Sequence, residues 1–242
     1  MADSEGNSAK TLSKAAQKAR MLRTLCCDFS FEQTLHSSGC RWVAGVDEVG
    51  RGALFGPVVA AAVILPVDCA HLQSAGLRDS KQLDAGAREE LAAMVHDCAV
   101  AVAIEEVDAE TIDAINIYQA TRLAMRRAVA ALDPAPDHLL IDALRIDHQC
   151  AQTSVVYGDA RSLSIAAASV VAKVYRDARV CRLHEEYPAY GMQEHKGYGT
   201  PTHLRALLRH GPTPLHRRSF RPVWESLLPW DVWPSEAAVA AD

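Results

Sequence analysis

Four carboxylates stand at or just beyond the ends of apolar runs, where a folded sheet can bring them together. Asp47 and Glu48 follow Val43-Ala44-Gly45-Val46, Asp142 closes His138-Leu139-Leu140-Ile141, and Asp159 follows Ser154-Val155-Val156-Tyr157-Gly158. Two charges at the end of an apolar run are costly unless something pairs with them. Like charges held close raise one another's pKa until a cation binds them. An oxygen-only ligand set suits Mg²⁺ or Mn²⁺, hard ions that share phosphate oxygens with a substrate. Four carboxylates can hold two such ions roughly 4 Å apart, the arrangement used for in-line cleavage of a phosphodiester. One ion would activate the attacking water and the other would stabilise the leaving 3′ oxygen. Each carboxylate also has a plainer use: Asp159 as a turn or helix cap, Asp142 as a loop anchor, Asp47-Glu48 as a surface pair. Their recurrence at three strand ends is more specific than any one of them.

The first pair runs into Gly50-Arg51-Gly52. Glycine permits backbone conformations closed to other residues and lets a ligand lie against bare main chain. A carboxylate pair beside such a surface suggests a metal next to a polyanion.

The elements that must position these residues follow from the order of apolar runs. Residues 43–49, 57–65 (PVVAAAVIL) and 100–107 (VAVAIEEV) have the composition of strands. The first two are joined by a short loop, so they pair antiparallel. Residues 83–98 and 108–132 are expected to be helical, the latter with a break near Asn116 and a stop at Asp133-Pro134. Strands at 138–142 and 154–157 arrive after long crossovers and can join in parallel. A long helix is expected over 164–186, with small residues Ala166, Ala167, Ala168 and Ser169 allowing close approach to the sheet. A loop over 188–201 then leads to a helix over 202–210. The expected fold is α/β, a five-stranded mixed sheet flanked by helices, with a helical C-terminal part. If the first and fourth strands are parallel neighbours, Asp47 and Asp142 lie side by side.

Residues 1–22 read as disordered or loosely helical, 23–40 as a short helix ending near Gly39, and 41–222 as one main domain. A tail over 223–242 carries Trp224, Trp230 and Trp233. No run approaches the length of a membrane span, and the polar start lacks the apolar core of a signal peptide. Seven cysteines without a C-x-x-C pair are expected to be reduced packing residues of a cytoplasmic protein, with no zinc site.

The net charge is −5, but its distribution is uneven. Residues 173–222 hold ten Lys/Arg against four Asp/Glu, together with His184, His195, His203, His210 and His216. An acidic cluster upstream and a basic segment downstream fit a metal-dependent enzyme working on a phosphate backbone; a solvated helix surface is the plainer alternative.

The series VAGVDEVGRG, GPVVAAAVIL, DSK, INIYQAT, LLID, GDARSLSIAAASVVAKVYRD and HKGYGT resembles the ribonuclease HII family, in order, from about Arg41 to Phe220. The resemblance implies a ribonuclease H-like fold and cleavage of the RNA strand in RNA–DNA hybrids. It further implies nicking on the 5′ side of single ribonucleotides embedded in duplex DNA, leaving a 3′-hydroxyl and a 5′-phosphate. By motif position Asp47, Glu48, Asp142 and Asp159 correspond to the metal-binding carboxylates. Gly50, Arg51 and Gly52 correspond to the loop whose main chain reads the ribose 2′-hydroxyl, and Tyr198 to the tyrosine packed on the following sugar. A 2′-hydroxyl is what separates RNA from DNA at one position, and a base-independent reading of it needs main-chain and aromatic contacts. Lys81, Asn116 and Gln119 correspond to phosphate contacts, although ordinary caps and surface polar residues would look the same. Arg161, Lys173 and Arg176 fall in the matching helix, with contacts left open. Two positions depart from the pattern: Ala143 stands where glycine is common, and Tyr157 where lysine is common. Tyr175 replaces a threonine-like position.

The expected protein is a monomeric ribonuclease that uses Mg²⁺ or Mn²⁺ in ribonucleotide removal. Its rivals are a ribonuclease HIII-type enzyme and a non-catalytic hybrid-binding protein on the same fold. The first usually carries a separate N-terminal domain, for which about 40 residues are too few. The second gives no reason for metal ligands to cluster.

Overall fold

The computed structural model describes residues 24–228; the expectations for residues 1–22 and for Trp230 and Trp233 lie outside the described residues. Strands β1 (Val43–Val49), β2 (Val58–Ile64) and β3 (Ala101–Val107) form an antiparallel meander. Strands β4 (His138–Asp142) and β5 (Ala151–Val155) extend the sheet in parallel on the far side of β1. The order is β3-β2-β1-β4-β5, the five-stranded mixed sheet expected.

Helices α1 (Ser30–Ser37), α2 (Ala70–Ser74) and α3 (Ala85–Cys98) precede β3. Between β3 and β4 lie α4 (Ala109–Ile115) and α5 (Ile117–Ala130), separated at Asn116 as expected. After β5 come α6 (Leu163–Glu186), α7 (Met192–His195), α8 (Pro201–His210) and α9 (Arg221–Glu225).

Every residue of β2 is buried, and its alternation divides the core. Val58, Ala60, Ala62 and Ile64 join Ala120, Ala124, Met125 and Ala128 of α5 on one face. Val59, Ala61 and Val63 join Ala167, Val170 and Val171 of α6 on the other. The N-terminal end of α6 lies almost against β1. A Cβ placed on Gly45 would stand 2.1 Å from the Ser164 carbonyl carbon, so only glycine fits there. Ser162 caps α6, its hydroxyl accepting the Ile165 N–H. The buried Glu32 of α1 accepts from the Ser162 hydroxyl at 2.6 Å and the Ser164 N–H at 2.8 Å. A carboxylate suits the positive end of a helix, so α1 secures the element on which much of the site rests.

Two expectations need correcting. The fifth strand spans Ala151–Val155, not 154–157. It is an edge strand whose middle residues, Gln152, Thr153 and Ser154, are polar, so no apolar run marks it, and Tyr157 at φ 56° has already turned out of the extended state. The segment 188–201 is not a plain loop either: it folds into a 3₁₀ turn (Pro188–Tyr190) and α7.

Candidate active site

β1 and β4 run parallel, with Val46 opposite Ile141. The next residue on each strand is a carboxylate, so Asp47 and Asp142 emerge together at one sheet end. Asp47 is buried and accepts the Glu48 N–H at 2.8 Å. Ser169 of α6 also hydrogen-bonds it from below, and Ser80 stands 3.0 Å from Ser169. Asp142 accepts the Gly158 N–H at 2.7 Å. Asp159 does not end a strand as expected. It sits in a 3₁₀ turn (Gly158–Ala160), and the Gly158 bond to Asp142 draws that turn onto β4.

Charge is concentrated here against its own preference. Burial first, and then the charges of Glu48, Asp142 and Asp159, hold the Asp47 carboxyl well above the ordinary range. Burial likewise raises Glu48, Asp142 and Asp159, opposed by Arg51 at Glu48, by the Gly158 N–H at Asp142 and by Lys81 at Asp159. Glu48 Oε1 lies 3.2 Å from Arg51 Nη1, while its Oε2 is buried without a partner. Lys81 Nζ lies 3.1 Å from Asp159 and 3.7 Å from Asp79. Burial alone would lower the Lys81 pKa, but Asp159 and Asp79 hold it above its usual value.

As they stand, no three acidic, histidine or cysteine side chains among the described residues converge on one ion position. The two cationic side chains occupy that role. Lys81 is 77% exposed and Arg51 42%, so both can leave without disturbing the core. An orphaned buried carboxylate oxygen, an all-oxygen donor set and two displaceable cations fit a hard divalent metal. Asp79 and Ser169 belong to the same site, a role their place in the DSK segment and in the small-residue run of α6 does not signal.

The glycine loop borders this cluster. Gly50 has φ 86°, and a Cβ there would meet Arg176 Nε at 2.1 Å. Gly52 differs from the expectation: its φ is ordinary, it is exposed, and nothing lies within 4 Å of where its Cβ would be. No packing inside the protein excludes a side chain there. Ala53 bridges antiparallel to Tyr198, and the Leu54 N–H donates to the Gly197 carbonyl at 2.8 Å. The loop and the tyrosine segment are therefore one unit.

Two buried arginines hold that unit. Arg176, left open above, touches neither the carboxylates nor the surface: it donates to the carbonyls of Pro57, Lys196 and Phe55. Its guanidinium lies 5.5 Å from the Tyr198 ring centre. Arg217 donates to the carbonyls of Gly56 and Arg51. Burial, and then the Arg176 charge, lower its pKa to about 9, which leaves it charged at neutral pH. His195, His203 and His216 are buried as well, with pKa values lowered by burial. Part of the basic C-terminal segment therefore faces inward.

Asn116 and Gln119 are not brought to the carboxylates. Asn116, at φ 67°, caps α5 by accepting the Gln119 N–H, and Gln119 Oε1 accepts from Arg122. Gln119 lines a separate surface groove with Arg122, Arg126 and Asp147. Lys173 pairs with Asp177 at 2.8 Å, Arg161 lies over Phe31, and Tyr175 packs against the core with its hydroxyl beside Glu106 of β3.

The ribonuclease HII family profile matches residues 44–225, from β1 through α9. The chain belongs to the ribonuclease HII family. A ribonuclease HII from Koribacter versatilis is 50% identical over 227 residues, covering 94% of this chain and 88% of the relative. One from Geobacillus kaustophilus is 54% identical over 197 residues, covering 81% and 75%. The crystal structure of ribonuclease H2 from Pyrococcus horikoshii OT3 superposes with a TM-score of 0.65 at 25% identity, covering 76% of this chain and 96% of that one. As a ribonuclease HII, the enzyme is an endoribonuclease of RNA–DNA hybrids, built on the ribonuclease H-like fold expected.

Proposed function

We propose that this ribonuclease HII nicks duplex DNA on the 5′ side of single embedded ribonucleotides, besides cutting the RNA strand of hybrids, and leaves 3′-hydroxyl and 5′-phosphate ends. The observation that carries this reading is the bridge between Ala53 and Tyr198, which joins the Tyr198 segment to the chain immediately after Gly50-Arg51-Gly52. Main chain can meet one 2′-hydroxyl whatever the base, and the half-buried Tyr198 ring offers an apolar face to the next sugar.

Asp47, Glu48, Asp142 and Asp159 are the proposed ligands of two Mg²⁺ or Mn²⁺ ions. When bound, such ions supply a hydroxide-like nucleophile and charge neutralisation for the leaving oxygen. The chain's part is to hold the carboxylates in place: Ser169 and the Glu48 N–H fix Asp47, and the Gly158 N–H fixes Asp142. Lys81 and Arg51, released from Asp159 and Glu48, are proposed to meet phosphate oxygens. Asn116 and Gln119, at the N-terminus of α5 beside Arg122, are proposed to contact the backbone further along the duplex. Residues 41–222 form the proposed catalytic domain. The seven cysteines, all unpaired, support a cytoplasmic site of action.

The test compares a duplex carrying one ribonucleotide with a hybrid carrying an all-RNA strand, each with Mg²⁺ or Mn²⁺. Nicking 5′ of the lone ribonucleotide is expected. Cleavage confined to the all-RNA strand would favour a ribonuclease HIII-type specificity, and binding without any nicking would leave a non-catalytic hybrid binder. Tyr198→Ala should harm the single-ribonucleotide substrate more than the all-RNA strand.

A further inference from the structure

Behind Tyr198 lie three buried histidines whose hydrogen bonds admit one arrangement of protons. Thr213 presents its N–H to His216 Nδ1 at 3.0 Å, so that nitrogen is an acceptor. The Thr213 hydroxyl, which itself accepts the Leu215 N–H, lies 3.0 Å from the same nitrogen and can only reinforce this by donating. The His216 proton is therefore on Nε2, 3.0 Å from His203 Nε2. His203 must accept there, which puts its own proton on Nδ1, 3.0 Å from the Tyr198 carbonyl oxygen. His195 stacks on His203 with ring centres 4.6 Å apart. It accepts the Gly197 N–H at Nδ1 and donates from Nε2 to the Tyr190 carbonyl. All three rings are neutral, and His203 alone carries its proton on Nδ1.

The chain ends at the recognition loop from both sides. His216 bridges antiparallel to Phe55, just past the glycine loop, and the Arg217 N–H donates to the Leu54 carbonyl. At the other end the Tyr198 carbonyl uses one lone pair for the Thr200 N–H and the other for His203. The Tyr198 N–H goes to the His195 carbonyl at 2.9 Å. Both main-chain polar groups of Tyr198 are thus committed, the carbonyl at the end of a relay that starts at Thr213.

We infer that His203 and His216 are positioning residues for substrate recognition: their ordered, uncharged hydrogen-bond chain fixes the Tyr198 main chain and so aims its ring beside the Gly50-Arg51-Gly52 loop. The inference rests on the proposed recognition role of Tyr198. Neither histidine touches the reacting atoms. Removing the His203 donor should let the ring wander, and loss of a single orienting hydrogen bond should cost about tenfold in kcat/KM.

The experiment combines imidazole NMR of the ¹⁵N-histidine-labelled wild-type protein with kinetics of His203 variants. At neutral pH a long-range ¹H–¹⁵N correlation should show His203 protonated on Nδ1, with His195 and His216 protonated on Nε2. A charged His203, or one protonated on Nε2, would overturn the inference without any variant having to fold. His203→Leu should raise KM and lower kcat/KM about tenfold on the single-ribonucleotide duplex, and less on the all-RNA strand. His203→Asn, whose amide can still donate to the Tyr198 carbonyl, should recover most of that loss. In a Tyr198→Ala background, His203→Leu should add little, because the group it orients is gone. Full additivity of the two changes, or no rescue by asparagine, would leave the histidines a purely structural role. If Tyr198→Ala itself spares the single-ribonucleotide substrate, the recognition reading fails instead.

Discussion

The two halves of the site are organised by opposite electrostatic rules. The carboxylate half gathers like charges whose nearest counter-charges, Lys81 and Arg51, sit on exposed side chains. The proposed recognition half buries two arginines with no carboxylate partner among the described residues and meets them with main-chain carbonyl dipoles, beside histidines that are uncharged. One half holds more carboxylates than counter-charges, whereas the other meets its buried charges with its own main chain, save for one Arg217 nitrogen. The difference fits the proposed tasks: charge must be available where a phosphate reacts, and shape must be fixed where a sugar is sorted.

The sharpest way to break this contrast is to neutralise the centre of the first half. Asp47→Asn keeps an oxygen for the Glu48 N–H but removes the most buried charge of the cluster. Cleavage should fall by on the order of 10³-fold or more, as for loss of a principal charge-stabilising group. Stability should move the other way. A carboxyl whose folded pKa is raised contributes stability that is present below its unfolded pKa and lost as pH rises through the folded value. In metal-free buffer at neutral pH the variant should therefore unfold at higher urea, by on the order of 1 kcal/mol, with a gain that shrinks as pH drops towards 4. Activity that survives, or stability that drops, would show that the cluster is not the charge-frustrated half.

In the second half the corresponding change destabilises. Arg217→Met leaves the Arg51 and Gly56 carbonyls unpaired beneath the glycine loop. Unfolding free energy should fall by about 3 kcal/mol, the usual consequence of stripping partners from buried polar groups. Arg217→Lys should recover little, since one ammonium cannot span the two carbonyls as a planar guanidinium does. A urea midpoint unchanged in Arg217→Met would show that the loop does not depend on this residue.

Acid separates the halves without mutation. His203 and His216 are pushed down to about 4 and about 3, chiefly by burial, while the unfolded chain titrates near 6.5. A depressed folded pKa gives stability that is complete above the unfolded value and is lost as pH falls towards the folded one. At about 1.4 kcal/mol per pKa unit, the pair should cost several kcal/mol between roughly pH 6.5 and 4. Urea titrations across that window should show the drop, and His203→Asn should lose less stability over the same range. Carboxylate protonation works in the opposite sense, so a variant lacking Asp47 should show the histidine effect more steeply.

What the sequence revealed and what it hid divide along the same line. Asp47 and Asp142 could be paired in advance because a short loop forces β1 and β2 antiparallel and long crossovers bring β4 in parallel. Each step depends on local composition. Asp159 was harder to place because β5 is mostly polar at the sheet edge and the chain takes a left-handed turn at Tyr157 soon after it. Arg176, Arg217 and the histidines read as a basic surface, since such residue types are mostly exposed. Their burial depends on residues 188–217 folding back onto residues 51–57, a long-range event without a local signature. The Asn116 cap was visible only as a break, and Gln119 gave no sign that it would face a separate groove.

The smallest expected effect tests how the carboxylate half is held. Ala143 follows Asp142 at φ 49°, exposed, where the family pattern has glycine. A left-handed residue with a Cβ costs roughly 1–2 kcal/mol, while glycine costs about 0.5–1 kcal/mol in unfolded-state entropy. Ala143→Gly should therefore stabilise the protein by about 0.5 kcal/mol, with no packing to lose. Turnover should change less than twofold, because Asp142 is fixed by the Gly158 N–H and by its strand rather than by the residue after it. A clear loss of activity in this variant would mean that the strained alanine helps aim Asp142. The carboxylate half would then be preorganised by its backbone as well, and the contrast between the two halves would weaken.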